Sequence, residues 1–443
     1  MDIISTDDNQ MKSLFKEENT NTADGKITVW QAGWNITNAI QGMFIVSFPY
    51  ALRQGGYWTL LAISMVAVIC THTSKIIVKC LYEEYSCGNQ IRVRNSYADI
   101  AERVWGAKFG RLLLIFAQVI ELSMTCILYI LVSGELLHGC FRSRDVSLAT
   151  WTILSTVPLL PCVFLRSIRC VSNLSFWCTV THMIINAIII VYCLTQVSHW
   201  HWDQMPMKIN IWEFPISLGI VVFSYTSQIF APTLEGNMKN PKRFTQMLYW
   251  THIAAAIFKS VFAYVCFLTW GTETMEVITN NLTQPGFKIT IDLILVLKAL
   301  LSFPLPYFST VEIIEQECFN LKSRFSSFSG DQHALKPWTV VLRFFLVIGI
   351  MLLAVFLPHF SILMGLVGSF TGTMLSFVWP CYFYLRIHGS KLLWYDKLVN
   401  WIVIVLGVAI GGIGMYYSGI ALHHAMDHQS RATTFNSTLM GVE

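Results

Sequence analysis

Charge is the scarcest commodity in this 443-residue chain. Asp, Glu, Lys and Arg together make up 13% of it, about half the share of an ordinary soluble domain, and no long polar stretch supplies the deficit. That excludes a soluble multidomain enzyme. Disorder is excluded too, because aromatic residues alone make up 14%. A net charge of only +4 offers nothing to a polyanion, so no nucleic-acid partner is expected. No HExxH, GxSxG, Walker loop or CxxC pair is present, and no enzyme activity or cofactor is expected. Met1 to Gly25 is polar and acidic without an apolar h-region, so no cleavable signal peptide is expected. The twelve cysteines lack the spacing of a disulfide framework and mostly fall inside apolar runs. His423, His424 and His428 cluster near the C-terminus, where a solvated tail is the plainer reading than a metal site.

What the chain does have is apolar length. A polar tail covers 1–26, read as cytoplasmic and disordered. Eleven apolar segments follow near 28–52, 57–80, 112–138, 149–165, 173–197, 214–235, 247–270, 289–313, 338–357, 359–385 and 396–420. Each can cross a hydrocarbon core as a helix, since open strand edges cannot sit in lipid. The expected fold class is therefore an all-α polytopic membrane protein lying in a lipid bilayer, with a transmembrane domain over 27–424. If the N-terminus is cytoplasmic, 22 of the 30 Lys and Arg fall on that face. An odd number of spans then puts the 425–443 tail on the lumenal side. The sequons at Asn281 and Asn436 fall on that same side and mark expected glycosylation sites. SYADIAERVW (96–105) reads as a short amphipathic helix on the membrane surface. Gly407, Gly411 and Gly414 allow close helix packing, within the chain or in a dimer.

Two spans look interrupted. In span 1, polar Asn38 and Gln41 and then Gly42, Met43 and Phe44 precede Pro49. In span 6, Tyr225, Thr226, Ser227 and Gln228 precede Pro232. Backbone freed by a break in lipid must be satisfied by protein, water, ion or substrate. A half-helix N-terminus suits a carboxylate. Breaks in the first and sixth spans are what two inverted five-helix repeats, about 28–197 and 214–385, require, with the 396–420 helix as an extra. Charges inside the spans add to this, being costly in lipid. Glu121 lies roughly 14 Å deep at 1.5 Å per residue. Lys298 reaches a similar depth from the opposite face, and Lys259 is close to it. Glu121 and Lys298 can exchange a proton between compartments or neutralise one another as a static pair; the sequence leaves both open.

At these residues the chain resembles the amino acid/auxin permease family, and within it the vesicular branch that carries inhibitory amino acids. The resemblance is carried by 30–56 (WQAGWNITNAIQGMFIVSFPYALRQGG), 121–134 (ELSMTCILYILVSG) and 214–241 (FPISLGIVVFSYTSQIFAPTLEGNMKNP). Further matching stretches are 298–308 (KALLSFPLPYF) and 358–372 (PHFSILMGLVGSFTG). It implies a leucine-transporter-like 5+5 inverted-repeat fold with GABA and glycine as substrates. It also implies loading of synaptic vesicles by proton antiport, powered by a vesicular proton ATPase, with chloride as a possible further ion. On that reading the substrate carboxylate meets the backbone around Gln41, Gly42, Met43 and Phe44. Its ammonium lies towards Glu121, Tyr129 or the run from Tyr225 to Gln228, with Asn38 beside it, while Lys298 takes the place of a sodium ion between spans 1 and 8. Phe44, bulkier than the small residue general members carry, narrows the site for a short, unbranched substrate. A plasma-membrane neutral amino acid permease and an amino-acid-sensing receptor of transporter fold are the alternatives.

Overall fold

The computed structural model describes residues 26–84, 90–106, 109–141, 146–164, 168–323, 337–357 and 359–440, without side chains at 168–175, 316–323, 337 and 428–440. Of the tail read at 1–26, all but its last residue lies outside the described residues.

Span 1 is split into α1 (Val29–Ile40), a 3-10 turn (Met43–Ser47) and α2 (Phe48–Gly55). α1 starts on a capping box, Thr28 accepting from the Gln31 N–H and the Gln31 side chain accepting from the Thr28 N–H. Span 2 is α3 (Tyr57–Cys80). A short antiparallel hairpin, β1 (Tyr82–Glu84) and β2 (Gln90–Arg92), follows with α4 (Tyr97–Trp105). Span 3 is α5 (Phe109–Cys140), and span 4 is α6 (Leu148–Thr156) running into a 3-10 stretch. Span 5 is α7 (Ile168–Thr195). Span 6 is split into α8 (Phe214–Phe223) and α9 (Ala231–Gly236), and span 7 is α10 (Phe244–Trp270). Span 8 is α11 (Pro285–Ser302), continued after Phe303 by α12 (Pro304–Ser323), with a proline at the junction. Span 9 is α13 (Pro337–Phe356). Span 10 is α14 (Phe360–Val367), two π-helical segments and α15 (Trp379–His388). Span 11 is α16 (Trp394–Met440).

Among the described residues, eight helical runs are long and apolar enough to cross a bilayer unaided. Spans 1, 4 and 6 fall short because they are split or shortened, so the eleven segments are all accounted for. Helices of equal rank in the two halves pack together: span 2 against 7, span 3 against 8, span 4 against 9, and α2 against α8. A two-fold axis in the membrane plane relating inverted repeats produces this pairing. Large apolar side chains such as Val68, Phe116, Val191, Phe345 and Val405 stay exposed on the outer faces, where lipid receives them.

Two expectations are corrected. The 96–105 segment is indeed a capped helix, with Ser96 and Asp99 forming the capping box. It does not lie on the membrane surface, however. Tyr97, Ile100 and Ala101 are buried against spans 3 and 10, the Tyr97 hydroxyl donates to Leu375 O (3.0 Å), and Trp105 packs on Trp379 and Phe383. Burial alone would raise the Asp99 carboxyl. The Asn95 and Ser96 N–H groups, the Ser96 hydroxyl and Arg111 bring it below the usual carboxylate range. Second, the helix read at 396–420 continues to Met440. Of the two readings of the span 11 glycines, packing within the chain is the one the contacts fit: a Cβ on Gly407 would meet Phe377 and Val378, one on Gly411 would meet Thr373, and one on Gly414 would meet Ser369. They serve packing of span 11 on span 10 within the chain.

Span 6 is pressed against span 10 at backbone distance. A Cβ on Gly219 would lie 2.2 Å from Gly365 O, and one on Gly368 would lie 2.0 Å from Gly219 O. Gly219→Ala therefore forces the two spans apart. We expect it to cost about 1–3 kcal/mol of stability, read as a lowered thermal melt of the purified protein in detergent.

Candidate functional site

The two breaks form because each span meets a residue that cannot continue its helix. In span 1 the α1 ladder ends at the Gln41 N–H, which donates to Thr37 O (2.7 Å), and the 3-10 turn starts with the Ile45 N–H donating to Gly42 O (3.3 Å). Space beside Gly42 is tight. A Cβ there would stand 3.0 Å from the Phe44 ring and 3.1 Å from the Tyr129 hydroxyl. In span 6 the chain leaves α8 through tight turns: Tyr225 N–H to Val222 O (3.0 Å), Thr226 N–H to Phe223 O (3.1 Å) and Phe230 N–H to Ser227 O (3.1 Å). Pro49 and Pro232 then sit in the first turn of α2 and α9, where a missing N–H costs nothing and a fixed φ favours the helix.

The breaks face one another across a small cavity of about 30 Å³ whose walls include Asn38, Phe44, Glu121, Tyr129, Phe223 and Thr226. Glu121, from span 3, is buried at 2% exposure. Its Oε2 accepts from the Thr371 hydroxyl, and Thr226 is the other polar group beside it. Thr371 lies in the first π-helical segment of span 10 (Gly368–Gly372). Such segments widen a helix by a residue and re-aim its side chains. Phe44 is boxed by aromatic rings, with centroids 5.2 Å to Tyr129, 4.9 Å to Phe223 and 6.3 Å to Phe360.

The sequence groups the run 225–228 as one site; the structure divides it. Only Thr226 lines the cavity. Tyr225 turns away towards span 7, its ring stacked on His252 (6.1 Å). Gln228 also turns away and works as a strap. Its Nε2 donates to Cys70 O (3.4 Å) and Thr73 Oγ1 (3.2 Å), and its Oε1 accepts from the Ser376 hydroxyl (2.9 Å) and the Ser227 N–H (3.0 Å). Ser227 is fully buried outside the cavity wall, as is Met43. Gln41 points its side chain towards a groove between spans 1 and 7. The periodicity missed Thr371 and Ser376, because nothing in an apolar run marks a π-helical stretch beyond the small and hydroxylated residues of GSFTGTMLS (368–376).

Glu121 and Lys298 are not an ion pair. Lys298 is 1% exposed, with Cys178 and His182 of span 5 as its neighbours, and its Nζ makes no hydrogen bond among the described residues. Asn281 lies in the loop between spans 7 and 8, and its amide is engaged, Nδ2 donating to Glu273 O (2.9 Å) and Oδ1 accepting from the Met275 N–H (2.9 Å). Asn436 falls in the last turns of α16, where side chains lie outside the described residues.

The cavity borders further pockets on one side. It shares Ile229, Phe230 and Leu305 with a second pocket, which shares Thr233 and Glu312 with a third lined by Arg92, Asn95 and Arg111. Towards the opposite face the pocket around Arg53, Glu135 and Glu276 shares no wall residue with the central cavity. Bonds from Arg53 to Thr274 O (2.8 Å), from Ser47 to Glu276 O (2.8 Å) and from the Ser361 N–H to Glu276 Oε2 (3.3 Å) keep that side shut.

Two outcomes follow for the site. Thr371→Val leaves a buried carboxylate short of a donor, a loss of about 1–3 kcal/mol that should appear as a lower melting temperature, with Glu121→Gln suppressing the effect in the double variant. Gly42→Val drives a branched side chain into Phe44 and Tyr129, and is expected to abolish amino acid binding measured by scintillation proximity.

Comparison with known proteins supplies the affiliation. The transmembrane amino acid transporter protein family matches residues 25–420. The vesicular inhibitory amino acid transporter of Xenopus tropicalis is 47% identical over 398 residues, covering 89% of this chain and 77% of that protein. Its Homo sapiens counterpart is 47% identical over 401 residues, covering 89% and 76%. The vesicular GABA transporter of Caenorhabditis elegans is 41% identical over 423 residues, covering 95% and 85%. Among solved structures, a sodium-coupled sialic acid symporter in its substrate-bound outward-open state superposes with a TM-score of 0.54 at 12% identity, over 90% of this chain and 89% of that one, a likeness of fold alone. The chain belongs to the transmembrane amino acid transporter family and is a transporter rather than an enzyme.

Proposed function

We propose that the protein loads small zwitterionic amino acids, GABA and glycine, into synaptic vesicles by exchange for lumenal protons. The single observation that carries the reading is the small cavity between two broken helices, walled by a buried carboxylate and aromatic rings. The relatives' names supply the vesicular address and the class of substrate. The backbone at Gly42–Phe44 takes the carboxylate, and Glu121 and Tyr129 take the ammonium. The tight box around Phe44 excludes a branched α side chain.

On this reading the face bearing Arg92, Asn95 and Arg111 is cytoplasmic and the C-terminus is lumenal. Glu121 is the exchangeable carboxylate. When it is ionised, it and the Thr371 hydroxyl hold the substrate ammonium. When a proton arrives from the acidic lumen, the charge that held the ammonium is gone and the substrate leaves. Lys298, buried in span 8, is the second candidate for proton coupling. A vesicular proton ATPase supplies the gradient: about 2.3 kcal/mol per charge per 100 mV and about 1.4 kcal/mol per proton per pH unit. Chloride can accompany the cycle as a further ion.

The test is uptake of radiolabelled GABA into proteoliposomes with an imposed inside-acid, inside-positive gradient. Parent protein should concentrate GABA and glycine only while the gradient lasts. Glu121→Gln, which lacks the charge that holds the ammonium, should lose GABA exchange and gradient-driven accumulation alike. Accumulation by Glu121→Gln at the parent rate would remove Glu121 from the proton path.

A further inference from the structure

Lys259 takes no part in the cycle described above, yet it is a charge enclosed in the middle of the fold. It lies in α10, fully buried at 0% exposure. Its Nζ donates to Ser224 O (3.0 Å) and to the Ser224 hydroxyl (2.9 Å), and stands 3.6 Å from the Tyr225 ring centroid and 5.1 Å from that of Phe48. Among the described residues no carboxylate forms an ion pair with it; Cys70 of span 2, His182 of span 5 and His252 of its own helix are the other titratable groups around it. Burying an unpaired ammonium costs several kcal/mol unless dipoles and π faces replace its water.

Those dipoles come from the break in span 6. The carbonyls that end α8 are taken in order. Ile220 O accepts the Ser224 N–H (3.1 Å) and Val221 O the Ser224 hydroxyl (2.7 Å). Val222 O accepts the Tyr225 N–H (3.0 Å) and Phe223 O the Thr226 N–H (3.1 Å). The next, Ser224 O, receives Lys259. A half-helix C-terminus carries negative partial charge, and unwound carbonyls of this kind are where broken-helix transporters hold a coupling cation. The Ser224 carbonyl and hydroxyl and the Tyr225 face make a cation site, filled from span 7 by a side chain.

We propose that the Lys259 ammonium is a tethered cation that occupies the ion position at the break in span 6, so that no inorganic cation is needed there. This deepens the transport reading and rests on it. By fixing Ser224 and Tyr225 on the side away from the cavity, Lys259 makes the turn that presents Thr226 to the cavity beside Glu121. It is a positioning residue: it touches neither the cavity nor the substrate.

The experiment is chemical replacement of the side chain. Lys259→Ala leaves room for an amine of the right size. Exchange of GABA across proteoliposomes at equal pH on both sides should fall by about tenfold or more. Methylammonium should restore it several-fold, and tetramethylammonium, too large for the space, should not. Lys259→Met fills the space without charge, so its exchange should fall and methylammonium should leave it unchanged. The thermal melt of Lys259→Ala in detergent should rise with methylammonium in the same order, and it requires no substrate. Parent protein that exchanged no amino acid would sink the transport reading while the melt still reported on the cation site. Lys259→Met exchanging at the parent rate would overturn the proposal. So would a folded Lys259→Ala with neither exchange nor melting responsive to methylammonium. Should Lys259→Ala fail to fold, the exchange rate of Lys259→Met decides alone.

Discussion

A peptide group without a partner in hydrocarbon costs several kcal/mol, and the design follows from where this chain breaks that rule and how it repairs the breach. Spans 1 and 6 open their hydrogen-bond ladders at Gln41–Gly42 and at Ser224–Phe230. Each opening is tolerable only because other spans close over it. Span 7 supplies an ammonium to Ser224, spans 2 and 10 hold Gln228, and span 3 brings Tyr129 against Gly42. The long intact helices are thus the scaffold, and the two broken ones carry the polar surface.

Span 10 links the two halves of the site. Its π-helical middle places Thr371 against Glu121 and, five residues on, Ser376 against Gln228. One widened helix therefore touches the carboxylate of span 3 and the strap of span 6 at once. Its close approach to α8, through Gly365, Gly368 and Gly219, makes movement of span 6 a matter of sliding past span 10 rather than parting from it.

Much of this was legible in the sequence, because membrane physics is coarse. Apolar length gives the eleven spans, and polar runs ahead of Pro49 and Pro232 give the breaks. What a one-dimensional reading cannot supply is direction within an irregular turn. Tyr225, Thr226, Ser227 and Gln228 are adjacent and equally polar, yet in tight turns each aims differently, so only Thr226 reaches the cavity. The depth rule ranked Glu121, Lys259 and Lys298 alike; it could not tell that the lysine of span 7, rather than that of span 8, reaches a helix end. The segment 96–105 has an amphipathic pattern that fits a membrane surface and a protein groove equally well, and the aromatic rings of span 10 decide for the groove.

One short contact has a mechanical consequence. Just ahead of α1, the Ile27 N–H donates to Asn237 O (2.8 Å) and Ile27 O accepts the Lys239 N–H (2.9 Å), stitching the start of the first span to the exit of the sixth. Arg92 and Tyr82 clasp Glu235 one turn away. The two half-helices on that face are therefore yoked, like paired oars on one bar. Neither can pivot alone while that stitch holds, and any pull on the chain before residue 27 is delivered to both hinges together.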